Sequence, residues 1–379
     1  MGSKVEGSPG KGAMYHSPLV NLAFDIYREF TVRTSHAMTE ALGTAGAVDA
    51  LRHEWEHVGS AIPLNVIEKM GLKEKGFIVA GYSLNWADRL WGCDQKSEVT
   101  PYGIRSRVDS CWYSIGSSAL CTAHLRFAAT KICKSIAPEH EFVSRSCLNG
   151  GDDHCELLMI AESKSVEDLM SAPAIASILP PPLDEGESIL WSHSYISSGW
   201  ITQIKAMIEV LGPDVTLERL KPIMRQIGAE IAPRVKEELG VQGDDLRSVA
   251  KGLDALNSTF LKVGSLNDVS DLSIERRTTT CPLSGEPKEV CQLFLFFYDS
   301  LVKGLNPAFE FDCSQMMSEG GGHCQWILRD KREQAMKQAD NFNPNNPFAL
   351  LSLRYARGEV SDEEYERKMA MMKKHHPQG

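Results

Sequence analysis

Two cysteine pairs with the same internal spacing predict that this 379-residue chain folds as a duplicated structure. Cys111 and Cys121 are separated by nine residues, as are Cys281 and Cys291, and the second pair follows the first at an offset of 170. Self-similarity at a fixed offset is the signature of a repeat, and it decides how the whole fold is assigned. Two further cysteines follow each pair, namely Cys147 and Cys155 in the first case and Cys313 and Cys324 in the second.

A helical pattern upstream of the cysteines repeats at an offset of 169. Apolar residues at steps of three or four run from Met38 to Met70 and from Met207 to Leu239, which is typical of one buried face of an amphipathic helix. Gly59 and Gly228 coincide inside this helix. Because periodicity, glycines and cysteines agree in register, we predict two copies of one domain.

Strand-like segments follow the helical half of each copy. The runs 104–111 and 274–281 are rich in Arg, Ser, Thr and Val, which favours strands. Each is followed by a helix and by two strands joined through a glycine-containing turn. The predicted helices are 114–135 and 288–304, and the predicted closing strands are 142–147, 155–160, 309–313 and 324–328. The predicted class is α+β, with a helical half packed on a small antiparallel sheet that carries a cysteine-bearing hairpin.

Changes of composition divide the chain into six predicted segments. They are a disordered tail at 1–13, the first copy at 14–165, a proline-rich linker at 166–186, the second copy at 187–335, a linker at 336–346 and a helical hairpin at 347–374. In the hairpin, Ser361 and Glu364 predict a capping box. So short a segment buries too little surface to fold alone, so we expect it to dock or to join subunits.

Charge and composition exclude several classes of partner. The chain has 50 acidic and 40 basic residues, which argues against a nucleic-acid backbone as the main partner. No apolar run is long enough for a membrane helix, and the N-terminus lacks the apolar segment of a secretory signal. We therefore expect a cytoplasmic protein without membrane contact, whose ten cysteines stay reduced.

Reduced cysteines on a hairpin, joined by one at the start of a helix, predict a thiolate-rich site for Zn²⁺. The candidate ligands are Cys111, Cys147 and Cys155 in the first copy, and Cys281, Cys313, Cys324 and the carboxylate Glu310 in the second. Buried core cysteine is the alternative, and it is the better interpretation for Cys93, Cys121, Cys133 and Cys291. A nucleophilic thiolate is a third interpretation.

Two arginines and two histidines match between the copies and are candidate ligand-binding residues. Arg107 and Arg277 suit bidentate binding of a carboxylate, although an ion pair within the fold is the commoner role. His154 and His323 directly precede hairpin cysteines. Because neighbouring side chains on a strand point to opposite faces, these imidazoles either line the other face or pack within the fold.

One segment of the first copy resembles a known ligand-binding family. The run Asp-Ser-Cys-Trp-Tyr-Ser-Ile-Gly-Ser-Ser at 109–118 and the Cys147-x7-Cys155 spacing are similar to the four-vinyl-reductase-type small-molecule-binding domain. That resemblance implies zinc held by the first-segment cysteine, a glutamate and two hairpin cysteines beneath an organic-ligand pocket. The glutamate position is Ser144 here, and in the second copy Cys313 and Met316 stand at the glutamate and first hairpin cysteine positions. Water, Cys121 or Cys291, or a nearby glutamate would complete the site.

Two further resemblances concern the second copy and the C-terminus. The helical lead 211–239, Thr-Cys-Pro at 280–282, Glu-Val-Cys at 289–291 and Gly-His-Cys-Gln-Trp at 322–326 are similar to the 2-amino-thiazoline-4-carboxylate hydrolase family. Residues 348–372 resemble the short C-terminal SHOCT domain, which implies oligomerisation. The predicted function is small-molecule binding supported by zinc, with two alternatives. These are a hydrolase that opens a cyclic C–N bond and an oligomeric accessory or scaffold protein. The expected partners are a small organic molecule and a second copy of the chain.

Overall fold

The computed structural model describes residues 18–69, 76–90, 93–111, 118–178, 197–241, 245–270, 272–332, 347–356 and 358–375. These residues form helices and two antiparallel sheets, which confirms the predicted α+β class. The chain divides into two compact units, residues 1–223 and 224–379. Three predictions lie outside the described residues: the tail 1–13, the prolines at 180–182 and the linker 336–346.

Long helices form the first part of the first unit. They are α1 (Pro18–Lys69) and α2 (Phe77–Leu90), and α6 (Ser198–Leu211) packs on α1. Helix α1 is broken at Gly43, where φ is 71° and ψ is 162°, a conformation that is essentially restricted to glycine. The α6 contact is made by Trp200, whose Nε1 donates to Thr34 Oγ1 at 3.1 Å. Helix α6 therefore packs within the first unit, although its residues were predicted as part of the second copy.

The sheet of the first unit has five strands. They are β1 (Asp94–Thr100), β2 (Gly103–Ser110), β3 (His140–Ser146), β4 (Cys155–Ala161) and β5 (Ala176–Ile178). Their order across the sheet is β3-β4-β2-β1-β5. Strand β5 and the short helix α5 (Val166–Ser171) lie in the segment predicted as a linker. Helix α5 begins with a capping box formed by Ser165 and Asp168, a signal that the sequence carries.

The segment between β2 and β3 is helical but irregular. Helices α3 (Ser118–Ala123) and α4 (Thr130–Ile136) flank a π-helical turn, His124–Ala129. The sequence predicts one regular helix here. A π-turn accommodates an extra residue within a helix, and such turns are frequent at functional sites. The segment packs closely on α1, because a Cβ atom at Gly59 would lie 2.5 Å from the carbonyl oxygen of Ala128.

Among the described residues, the second unit has a four-stranded sheet and three helices ahead of its C-terminal hairpin. Its helices are α7 (Pro213–Glu238), which begins just before the unit boundary, α8 (Leu246–Thr259) and α9 (Lys288–Leu305). Its strands are β6 (Val263–Ser270), β7 (Ser273–Thr280), β8 (Phe309–Gln315) and β9 (Cys324–Asp330), in the order β6-β7-β9-β8. A Cβ atom at Gly228 in α7 would lie 2.3 Å from the carbonyl oxygen of Phe297 in α9.

The C-terminal residues form the predicted helical hairpin. Helices α10 (Pro347–Ala356) and α11 (Asp362–His375) are joined through Gly358, whose φ is 70°. The ring centroids of Tyr355 and Tyr365 lie 4.2 Å apart, and the Ser361 hydroxyl accepts from the backbone N–H of Glu364 at 3.3 Å. Among the described helices, none has both the length and the apolar character needed to cross a bilayer.

Candidate thiol site and adjoining pocket

Five cysteines of the first unit gather at one end of its sheet, and we call them the thiol cluster. Cys93 precedes β1, Cys111 follows β2, Cys147 follows β3, Cys155 begins β4, and Cys121 lies in α3. The strand register explains the convergence, because Asp94 pairs with Ser110 and Val108 pairs with Cys155. The antiparallel order therefore places four strand ends side by side below α3.

The sulfur atoms of the thiol cluster lie at distances close to those of a metal–thiolate site. Cys93 Sγ is 3.3 Å from Cys111 Sγ, and Cys121 Sγ is 3.5 Å from Cys147 Sγ. In a tetrahedral zinc site with Zn–S bonds of about 2.3 Å, neighbouring sulfurs are about 3.8 Å apart. The Cys155 sulfur accepts the backbone N–H of Leu148 at 3.2 Å, which fixes the turn that carries Cys147.

Hydrogen bonds within the thiol cluster concentrate negative charge on one sulfur. The thiols of Cys121 and Cys155, and then the backbone N–H groups of Asn149 and Gly150, lower the pKa of Cys147 far below its ordinary value. The same hydrogen bonds, together with burial, raise the pKa of Cys121 and of Cys155. The cluster therefore favours one thiolate flanked by two thiols, and a metal ion would have to displace the remaining protons.

A pocket of about 520 Å³ adjoins the thiol cluster. Cys121 and Cys147 contribute to its wall, and the π-turn contributes Leu125 and Arg126. The remaining lining residues are Thr122, Thr130, Phe142, Ser144, Asn149 and Gly150. The pocket combines apolar surface, hydroxyl groups and one exposed guanidinium, which is the usual mixture in a site for a small organic molecule.

The described part of the chain contains no group of three or more His, Cys, Asp or Glu side chains already arranged to hold a metal ion. The thiol cluster instead forms close sulfur pairs. Cys111 lies near enough to both Cys121 and Cys155 to raise the pKa of each. To coordinate an ion, these thiols would therefore have to rotate toward a common centre.

A buried Asp–His pair anchors the π-turn. His124 Nε2 lies 3.1 Å from Asp88 Oδ1, and both side chains are at most 6% exposed. The imidazole also meets the Trp55 ring edge-on at 5.6 Å between centroids. The sequence did not predict this pair, because its members are 36 residues apart and match no local motif. It holds α2 against the irregular helix and so supports the wall of the pocket.

The cysteines of the second unit occupy a related set of places. Cys281 follows β7, Cys291 lies in α9, Cys313 lies at the bulge of β8, and Cys324 begins β9. The Cys324 sulfur accepts the backbone N–H of Met317 at 3.2 Å. Burial raises the pKa of Cys313 to about 11, and it also raises the pKa of Cys291 and Cys324. These sulfurs are therefore held as thiols.

Two buried basic residues of the second unit were missed at the sequence level. Lys262, just before β6, is 9% exposed, with its ammonium 4.1 Å from the centre of the Phe294 ring. Arg276 is 1% exposed and donates to Asp254 Oδ1 at 2.6 Å and to the Lys262 carbonyl oxygen at 2.7 Å. Neighbouring side chains on a strand lie on opposite faces, so one of Arg276 and Arg277 is buried and the other is exposed. The sequence did not show which face of the strand is buried.

Among the other predicted site residues, Arg107 and His323 have described contacts with residues other than cysteine. Arg107 is more than half exposed and donates to Asp109 Oδ1 at 2.5 Å. It therefore forms an ion pair within the fold, the commoner role for such an arginine. Arg277 is exposed. His154 is half-buried, and His323 contacts Gln325 at 3.3 Å. Glu310 pairs with Arg329 near the start of β8, three positions before Cys313. Side chains three positions apart on a strand point to opposite faces, so Glu310 and Cys313 lie on opposite faces of the sheet.

The chain matches no protein-family model, no curated protein and no solved structure. The resemblances to the four-vinyl-reductase-type domain, to the 2-amino-thiazoline-4-carboxylate hydrolase family and to SHOCT therefore stay predictions. The candidate site is described by the geometry of its own residues.

Proposed function

We propose that the chain is a small-molecule-binding protein whose first unit holds a structural zinc ion in a thiolate site at the base of the ligand pocket. One observation carries the proposal: Cys121 and Cys147, whose sulfurs are 3.5 Å apart, also line the pocket of about 520 Å³. A metal bound by these sulfurs would fix α3 and the Cys147 turn relative to each other. Metal binding and pocket formation would then be coupled.

The proposed ligands are Cys111, Cys121, Cys147 and Cys155. Cys121 supplies the fourth ligand that the sequence left open between water, a cysteine and a glutamate. Cys93 donates to the Cys111 sulfur at 3.3 Å and would keep that role. Four sulfurs close a tetrahedral site, whereas hydrolytic zinc keeps one position open for water. The arrangement therefore supports binding over hydrolysis of a cyclic C–N bond.

The lining of the pocket suggests the chemical class of its ligand. Leu125 and Phe142 offer apolar contact, and the guanidinium of Arg126 offers a paired hydrogen bond to a carboxylate or a similar anion. The hydroxyl groups of Thr122, Thr130 and Ser144 add further polar contacts. We infer a small organic anion as the ligand. A cytoplasmic location and self-association through the C-terminal hairpin belong to the same proposal.

The proposal includes duplication of one domain, and irregular features support it. Gly43 and Gly212 share nearly the same unusual backbone angles, with φ of 71° and 81° and ψ of 162° and 160°. Each sheet has a bulge just before a single 3₁₀ turn, between Ser144 and Ser146 and between Cys313 and Gln315. Unrelated α+β units would have no reason to share these irregularities at an offset of 169.

Zinc analysis of purified full-length protein tests the proposed site. Wild-type chain, purified without chelator under reducing conditions, should contain about one zinc, and Cys147→Ser should lose most of it because four-coordinate zinc loses one thiolate. Cys133→Ser is the matched control, since Cys133 is buried elsewhere with its thiol directed to the His140 carbonyl oxygen at 3.5 Å. Equal zinc in wild type and Cys147→Ser, or none in wild type, would overturn the proposal.

A further inference from the structure

Lys262 of the second unit and Cys93 of the first unit lie at corresponding places in their sheets. Cys93 precedes β1, whose first residue pairs with Ser110, so Cys93 lies beside Cys111. In the same way, Lys262 precedes β6, whose first residue pairs with Thr280, so Lys262 lies beside Cys281. A thiol in one unit is thus replaced by a long basic side chain in the other.

Aromatic rings surround the ammonium group of Lys262. Its Nζ lies 4.1 Å from the centre of the Phe294 ring, 5.2 Å from that of Tyr298 and 5.7 Å from that of Phe260. The Lys262 carbonyl oxygen accepts from the buried Arg276 at 2.7 Å. A buried ammonium is costly unless other groups compensate it, and ring faces provide part of that compensation.

The sulfurs of the second unit lie close to the same ammonium group. Cys281, Cys291 and Cys324 are all close enough to interact electrostatically with the Lys262 ammonium. The strand register agrees, because Cys324 pairs with Thr278 at the sheet end where Lys262 and Cys281 lie. The Lys262 ammonium therefore occupies the end of the sheet where three of the cysteines that would otherwise hold a metal lie.

We propose that the ammonium of Lys262 takes the place of a metal ion in the second unit, so that this unit does not bind zinc. A divalent cation entering the same sulfur-lined space would meet a fixed positive charge in a poorly solvated environment, where like charges repel strongly. Met316 adds a second difference, because it precedes the 3₁₀ turn as Cys147 does in the first unit. This inference rests on the proposed function in one respect: the zinc site of the first unit is the reference with which the second unit is compared.

Zinc content of full-length variants in a Cys147→Ser background isolates the second unit. Adding Met316→Cys supplies the missing thiol but keeps the lysine, and we expect no gain in zinc. Adding Lys262→Leu as well should raise the content by about one zinc per chain, because four thiols then face a neutral site. A gain from Met316→Cys without the lysine change, or no gain from the combination, would overturn the inference.

Two controls keep the outcome interpretable. Lys251→Leu removes an exposed lysine of α8 and should not produce the gain that Lys262→Leu produces. Cobalt titration of the wild-type chain requires no folded variant. It should saturate at about one Co²⁺ with thiolate charge-transfer absorption. Saturation at two would overturn the inference about Lys262. Failure of the first-unit site is recognised separately, because it appears as zinc unchanged between wild type and Cys147→Ser.

Discussion

Cys147 and Cys133 show how differently one fold treats the same side chain. Cys147 is half-buried, and hydrogen bonds from the thiols of Cys121 and Cys155 lower its pKa. Cys133 is fully buried in α4, and burial raises its pKa to about 12. Because the thiolate is the reactive form, the two residues should differ greatly in reactivity even in the absence of metal.

Alkylation of the metal-free folded protein checks this difference. Iodoacetamide should modify Cys147 first, at a rate that changes less than about twofold between pH 6 and pH 8, because a lowered pKa leaves the sulfur ionised throughout this range. The rate for an ordinary thiol with a pKa of about 8.5 would rise about 75-fold over the same range. Cys133 should stay unmodified until the protein unfolds. Peptide mass spectrometry measures both, and a steep pH dependence at Cys147 would contradict the assignment of charge to that sulfur.

The site residues that the sequence predicted are those with a spacing motif. Cys147 and Cys155 were predicted from the hairpin pattern and Cys111 from its place at the start of a helix, and the three lie at one end of the sheet. Cys121 was assigned to the core because it lies in an apolar helix; it is indeed buried, at 8% exposed, yet its sulfur faces Cys147. Lys262 carries no motif at all. Periodicity tells which face of an element is buried but not which buried side chains meet.

At the scale of elements, the closest helix contacts depend on glycine. A Cβ atom at Gly59 would lie 2.5 Å from the Ala128 carbonyl oxygen, and one at Gly228 would lie 2.3 Å from that of Phe297. Real Cβ atoms do not approach backbone oxygen so closely, so an alanine would push the helices apart. The Gly59 contact joins α1 to the π-turn that follows the Cys121 helix, and the Gly228 contact joins α7 to α9, which carries Cys291.

Substitution of Gly59 by alanine should therefore destabilise the protein. Alanine favours helix by about 1 kcal/mol over glycine, but overpacking of a close contact costs about 1–3 kcal/mol. The close contact is with backbone atoms of Ala128, which cannot move aside as a side chain can, so the cost should lie at the upper end, about 2–3 kcal/mol. We therefore expect a net loss of about 1–2 kcal/mol in the free energy of unfolding, measured by urea titration. Gly285→Ala is the matched control, because a Cβ atom there meets nothing within 4 Å, and it should change the stability by less than about 0.5 kcal/mol. Unchanged or increased stability of Gly59→Ala would contradict the packing.

The positions of the hairpin strands were predictable, whereas β5, α5 and the single-residue irregularities were not. Strand β4 was predicted at 155–160 and is Cys155–Ala161, since its apolar pattern and flanking turn are local signals. The π-turn His124–Ala129 was predicted as regular helix. On the proposed duplication, the repeat offset rises from 169 to 170 where Val269 bulges out of β6. It returns to 169 where the π-turn adds one residue to the first unit. One added residue hardly alters a periodic pattern, so its structural form stays hidden in the sequence.

At the scale of the whole molecule, the two compact units should respond differently to metal. The first unit has a five-thiol cluster next to a pocket, whereas the second has a buried lysine among its thiols. A ligand that binds only the folded state stabilises it by about 4 kcal/mol at 1,000 times its dissociation constant. If zinc belongs to the first unit alone, its removal should loosen only that unit, and local opening is what amide hydrogen exchange measures.

Hydrogen–deuterium exchange with and without chelator locates this response along the chain. Zinc removal should speed exchange in peptides from residues 118–161, which carry Cys121, Cys147 and Cys155, because the metal no longer ties α3 to the hairpin. Peptides from residues 288–330 serve as the internal control, since they contain the equivalent elements of the second unit and should exchange at unchanged rates. Chelator should have no effect on Cys147→Ser, which already lacks the ion. Equal acceleration in both segments would contradict a metal site confined to the first unit, and acceleration only at 288–330 would reverse the roles assigned to the Cys147 thiolate and the Lys262 ammonium.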